Sequence, residues 1–257
     1  MTRISLRILE EDDLAFADSL RVVAGWNQTL ADWKRFLQLS PSGCLLASCE
    51  GEPAGTATTI CYGQALGWIG MVLVHPQFRR RGIGRVLVEH AIEFLRARGV
   101  QTIKLDATPE GREVYRKLGF KDDFTLTRYV GGPYPAKEIE RSEISEIDFD
   151  LPERANLLRQ LISESPRALS RDGGLGMTRA GSIATYLGPI FARDETIAQS
   201  LAADLAAGCE KIFCDIPDGK PLLLPGLAPQ RKLIRMYLGE NMLADPSVFA
   251  IIGPELG

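Results

Sequence analysis

No apolar stretch in this sequence reaches the ~18–20 residues that a membrane-spanning helix needs. The opening residues, Met1 to Arg7, carry no apolar core of a secretory leader. A cytoplasmic protein without a membrane partner is therefore expected. Histidine is scarce, at two residues, and the five cysteines are dispersed at 44, 49, 61, 209 and 214. No C-x-x-C pair occurs and no histidine stands close, which excludes the usual zinc spacings, so no metal is expected. An odd number of thiols set in apolar runs reads as reduced and buried. Net charge is only −3, which argues against a general nucleic-acid binder. The phosphate-binding string G-x-x-x-x-G-K-[ST] is absent altogether.

What is present is ordinary globular material, 45% hydrophobic and 25% charged over 257 residues, enough for one large domain or two small ones. Its most informative stretch begins with Val72, Leu73 and Val74, an apolar run that ends at His75-Pro76. Arg79, Arg80 and Arg81 follow, then Gly82, Ile83 and Gly84. From Ile83 the apolar residues Val86, Leu87, Ala91, Phe94 and Leu95 recur at helical spacing. The pattern predicts a strand, a tight basic turn and a helix. Glycine at 82 and 84 lets the backbone bend and leaves its N–H groups uncovered. With the positive end of the helix dipole these groups form a cradle for a phosphate or pyrophosphate, and the arginines supply counter-charge.

Two readings of that cradle compete. A dinucleotide fingerprint, G-x-G-x-x-G, would need a third glycine where Leu87 stands, and would open the fold rather than follow more than seventy residues. Asp106 nevertheless ends the next strand pattern at about the right distance, so a nucleotide-dependent oxidoreductase stays open. The better match is Arg79-Arg80-Arg81-Gly82-Ile83-Gly84 to [QR]-x-x-G-x-[GA], which resembles the acyl-CoA signature of the GNAT superfamily of N-acyltransferases. A second string strengthens the resemblance. Thr108 and Pro109 start a short helix that carries Tyr115, and Leu118-Gly119-Phe120 closes it, similar to the family's Y-x-x-x-G-F ending. The two motifs cover residues 1 to about 130.

The remaining segments suit that fold class, an α/β (α+β) mixed, mostly antiparallel sheet flanked by helices. Residues 3–8 alternate as a strand, and helices are expected from Glu11 and from Thr29 as cap. Cys44–Cys49, Ala54–Tyr62 and Leu66–Val74 read as a meander, and Thr102–Asp106 as a strand parallel to the last of these. The domain division predicted is 1–132 for a catalytic acetyl-CoA-binding domain, 133–150 for a linker and 151–257 for a second domain. The latter shows helix, strand, helix and strand patterns in a similar order, but Phe191-Ala192-Arg193-Asp194-Glu195 occupies the place of the phosphate loop. Without glycine, and with Asp-Glu at the helix start, a pyrophosphate would be repelled. The whole is similar to bacterial GNAT proteins with a degenerate GNAT-like C-terminal domain.

The resemblance implies acetyl-CoA as cosubstrate, direct transfer in a ternary complex, and a small-molecule, amino-acid or peptide amine as acceptor. It implies that Val72, Leu73 and Val74 line the pantetheine arm and that a backbone N–H near Val72 meets the oxyanion. By the same resemblance Arg79, Arg80, Arg81, Gly82, Ile83 and Gly84 hold the pyrophosphate, and Tyr115 stands beside the leaving thiolate. Trp26 and Asn27, between the first two helices, become substrate contacts. The base is less legible, because 67–74 contains no acid. Asp106 is the nearest carboxylate along the chain, with Asp32, Glu255 and water-mediated deprotonation as alternatives. His75 and His90 read as structural. A catalytically silent acyl-CoA sensor also fits the missing acid, and a homodimer stays open.

Overall fold

The computed structural model describes residues 3–139, 154–242 and 244–257. The chain opens with β1 (Ile4–Ile8), α1 (Leu14–Ala24) and α2 (Leu30–Leu39). Thr29 caps α2 through a capping box in which its side chain and that of Asp32 accept reciprocal backbone N–H groups. The meander follows as β2 (Leu45–Cys49), β3 (Glu52–Tyr62) and β4 (Leu66–Val74). Then come α3 (Ile83–Arg96), β5 (Thr102–Ala107), α4 (Pro109–Lys117) and β6 (Lys121–Gly131). Thr108 accepts the Gly111 N–H at 3.2 Å, and Pro109 fills the first turn, where its missing N–H loses nothing.

The later elements are α5 (Ala155–Glu164), β7 (Arg167–Arg171), β8 (Gly174–Arg179), β9 (Thr185–Ala192), α6 (Glu195–Ala206), β10 (Ile212–Pro217), β11 (Ala228–Leu238) and β12 (Val248–Ala250). The hairpin β7–β8, which turns at Asp172-Gly173, gives no strand pattern in the sequence. Its strands mix charged and apolar residues without clean alternation. Most of the expected linker at 133–150, and the first residues of the expected second domain, lie outside the described residues.

Contacts divide the chain into two compact units. The first comprises Met1–Asp123, Arg235–Asn241 and Leu256, and the second Phe124–Ile234, Met242–Glu255 and Gly257. The sequence places a boundary at 132, from the extent of the two motifs and the Gly-Pro-rich segment that follows them. By contacts the division falls at 123/124, and a piece of the last third of the chain returns to the first unit.

The first unit runs β1-β2-β3-β4-β5, with the end of β11 beside β5. All pairs from β1 to β4 are antiparallel, and β4–β5 is parallel because α3 crosses between them. Helix α3 buries Ile83 and Leu87 against Ala47, Ala54 and Ala57 of the meander. Gly55 permits that closeness, since a Cβ there would stand 2.7 Å from the Leu73 carbonyl oxygen. The second unit runs β6-β10-β9-β8-β7 with β12 paired to β9, and only β9–β10 is parallel. Leu201 and Leu205 of α6 pack there with Ile212, Cys214 and Ile216 of β10.

Candidate active site

The site begins with a fault in β4. Thr56 pairs with Leu73 and Thr58 with Gly70, so Met71 and Val72 stand opposite the single residue Ala57. This is a β-bulge, and Met71 adopts φ 49°, a left-handed value unusual for a residue with a side chain. The Thr56 hydroxyl donates to the Met71 carbonyl at 3.0 Å and holds the bulge in place. On the other side, β4 pairs with β5 only over Leu66–Trp68 and Thr102–Lys104. Beyond those residues the two parallel strands no longer pair, so Met71 and Val72 match neither neighbour in register. Backbone strain and a split ladder at one place are typical of functional sites.

Val72 and Val74 remain partly exposed, whereas Leu73 is buried. Val72, Val74 and Phe78 pack against the cluster that Ile83 and Leu87 of α3 form with the meander. Between them, Arg79 turns back so that its Nε donates to the Val74 carbonyl at 3.2 Å. Arg80 takes φ 61° and Gly82 takes φ 86°, two left-handed residues in one short turn. Gly82 is the N-cap of α3 and no side chain caps that end. The first N–H groups of the helix therefore stay available, as they are at any uncapped helix start. Arg80 and Arg81 are exposed. The Arg81 guanidinium lies 5.5 Å from the centre of the Phe78 ring. A Cβ on Gly84 would come no closer than 3.7 Å to the nearest heavy atom, Val74 Cγ2. A Cβ on Gly82 would meet nothing within 4 Å among the described residues, and the residues of this cradle fit a pyrophosphate.

Tyr115 lies on α4, which packs against α3 and β5. Its ring meets Phe120 edge-on at 6.0 Å, and burial lifts the phenol to about 12. Among the described residues no hydrogen bond reaches its hydroxyl. In the turn after α1, Gly25 takes φ 65°, and Arg21 Nη1 donates to the Trp26 carbonyl at 3.3 Å. Trp26 is partly exposed, while Asn27 is buried.

Asp106, the carboxylate that the sequence offers as a base, is held in an ion pair that the sequence does not show. Its carboxylate is completely buried, and both oxygens accept from Arg235, Nε and one terminal nitrogen each at 2.8 Å. The Arg235 guanidinium also lies 4.7 Å from the centre of the Trp68 ring. Asp106 stands two residues beyond the last pairing of β5 with β4, so this bidentate pair sits just where the strands separate. No local signal in the sequence links two residues 129 positions apart. The other acids considered are engaged as well. Asp32 pairs with Arg35 at 2.6 Å and Glu255 with Arg179 at 2.8 Å.

In the second unit, the start of α6 is closed. Asp194 caps it by accepting the Ile197 N–H at 2.9 Å, which places a carboxylate where the first unit leaves an open cradle.

Comparison with known proteins agrees with this geometry. A model of the acetyltransferase (GNAT) family matches residues 9–120, and a model of an acetyltransferase (GNAT) domain matches residues 146–247. YitH of Bacillus subtilis, an uncharacterized N-acetyltransferase, is 32% identical over 216 residues, covering 74% of this chain and 76% of that protein. The holothin acyltransferase of a Pseudoalteromonas species is 29% identical over 196 residues, covering 69% of this chain and 66% of the relative. Among solved structures, an acetyltransferase candidate from Pyrococcus horikoshii superposes with a TM-score of 0.83 at 24% identity, over 99% of this chain and 96% of that one.

Proposed function

We propose, since this chain belongs to the GNAT family of acetyltransferases, that it moves an acetyl group from acetyl-CoA directly to the amine of a small molecule, amino acid or peptide. The observation that carries this reading is the coincidence of a split β4–β5 ladder, the Met71 bulge and an uncapped, glycine-lined start to α3. In this reading the N–H groups at Gly82, Ile83 and Gly84 bind the pyrophosphate, and Arg80 and Arg81 neutralise it. Val72, Leu73 and Val74 line the pantetheine arm. The backbone N–H at Val72 donates to the carbonyl oxygen as it gains charge, a pre-aimed dipole that need not reorganise. Trp26 and Asn27 border the acceptor.

Tyr115 assists the leaving group. A phenol raised by burial stays protonated at neutral pH, and giving its proton outright to a thiolate of ~8.5 is uphill. Its role is thus a hydrogen bond that strengthens as the thiolate forms. Tyr115→Phe is expected to preserve CoA affinity and to lower the acetyl-transfer rate constant about 10- to 1000-fold. Single-turnover kinetics checks this, and an unchanged rate returns Tyr115 to packing alone. Burial places the deprotonation of this phenol near pH 12, so its presence adds no limb to the rate profile below pH 10.

Asp106 we read as a structural partner of Arg235 rather than the base, because reaching an amine would require breaking a buried ion pair. Deprotonation of the amine then falls to water. The second unit, with Asp194 across the start of α6, is read as unable to bind CoA. Calorimetric titration of the full chain should give one CoA equivalent per chain, and two equivalents would refute that part of the reading.

A further inference from the structure

The arginines around the start of α3 are engaged in different ways. Arg79 donates its Nε–H to the Val74 carbonyl, and Arg85 pairs with the Glu89 carboxylate at 2.8 Å. Arg81 is held by neutral groups. Its guanidinium lies 5.5 Å from the centre of the Phe78 ring, and its Nη1 donates to the Cys49 sulfur at 3.9 Å. A π face and a thiol sulfur orient a cation without cancelling its charge.

The groups that hold Arg81 are themselves fixed. Phe78 closes a single 3-10 turn, Pro76–Phe78, which His75 caps by accepting the Gln77 N–H on Nδ1 at 3.4 Å. The Phe78 N–H donates to the His75 carbonyl at 2.9 Å, and the two rings stand 5.8 Å apart at 52°. The Phe78 side chain packs against the core cluster that contains Ile83, the first residue of α3. Cys49 belongs to the same cluster and is completely buried. Both contacts of the guanidinium are therefore parts of one packed core. Arg81 directly precedes Gly82, the N-cap that no side chain covers, so the held guanidinium and the first N–H groups of α3 belong to one short turn.

We propose that Phe78 is a positioning residue for phosphate recognition: its ring orients Arg81 in advance and makes Arg81 the guanidinium that anchors the pyrophosphate. The inference rests on the acetyl-CoA reading of the cradle. An arginine free to rotate loses side-chain entropy when it clasps a phosphate, and ordering it beforehand lowers that cost. Arg81 has part of this order built in. Packing at position 78 requires only an apolar side chain, whereas holding a cation requires the face of an aromatic ring.

The test is calorimetric titration of the full chain with CoA. Phe78→Leu keeps apolar volume but removes the ring, and should weaken binding about two- to ten-fold, the effect of releasing one ordered side chain. Phe78→Tyr retains the ring and should bind as the wild type does. Arg81→Gln should weaken binding roughly ten-fold or more, as loss of a charge-assisted contact does. Adding Phe78→Leu to Arg81→Gln should cost nothing further, because the group through which Phe78 acts is gone. In an Arg80→Gln background the Phe78→Leu loss should persist. Phe78→Met, also without a ring, replaces the Leu variant in every comparison if that variant does not fold. Equal losses from the Phe78 substitution with and without Arg81 would overturn the proposal. So would a ringless variant of wild-type affinity, or a Tyr variant as weak as the ringless one. A wild type that binds no CoA is a different failure: it overturns the acetyl-CoA reading, and this proposal with it.

Discussion

Gly84→Asp should leave the protein folded and weaken CoA binding at least a hundred-fold. The two effects have opposite signs for one physical reason, the positive end of α3. A side chain at 84 meets ordinary contact distances, with Val74 Cγ2 at 3.7 Å from the new Cβ. A carboxylate in the first turn of a helix is itself favourable by roughly 0.3–1 kcal/mol. Melting should therefore be unchanged or slightly raised. The same carboxylate occupies the cradle read here as the pyrophosphate site, where like charges in a partly desolvated turn oppose each other. A hundred-fold loss corresponds to about 2.7 kcal/mol, within the range for an unmatched charge. Isothermal calorimetry with CoA is the measurement, and Gly84→Ala separates the charge from the added volume. A folded Asp variant with wild-type affinity would remove the loop from the site.

Arg235→Met should destabilise the first unit by about 3–5 kcal/mol, the cost of leaving a buried carboxylate without its partner. Asp106 has no exposure through which water could replace the guanidinium. Denaturant unfolding reads the loss. Pairing Arg235→Met with Asp106→Leu should recover most of it, because the orphaned charge is then gone. If Arg235→Met alone is as stable as the wild type, the ion pair holds nothing together. The same contacts predict the fate of a fragment ending at Gly132. It would lack Leu256, whose carbonyl accepts the Tyr62 hydroxyl at 2.7 Å, and Glu240, whose carbonyl accepts that of Thr102 at 2.7 Å. It would also leave the edge of β5 unpaired. Such a fragment should not fold cooperatively, so activity has to be dissected by point substitution in the whole chain.

The parts of this protein that could be read in advance are those whose physics is local. Gly82 and Gly84 before a helical periodicity signal a tight turn into a helix start without a side-chain cap, because turn geometry acts within a few residues. The caps at Thr29, Thr108 and Asp194 are equally short-range, each side chain accepting a backbone N–H three positions on. The absence of glycine at 191–195 likewise marked the second unit as different in kind. What the sequence could not express were pairings between distant segments. The Met71 bulge depends on how β3 and β4 register, and two residues facing one leave no trace in composition. Asp106 reads as an available acid because 67–74 contains none and it is the nearest carboxylate along the chain. Only the return of β11 supplies the Arg235 that engages it, and a bidentate pair across 129 positions is a property of the folded sheet.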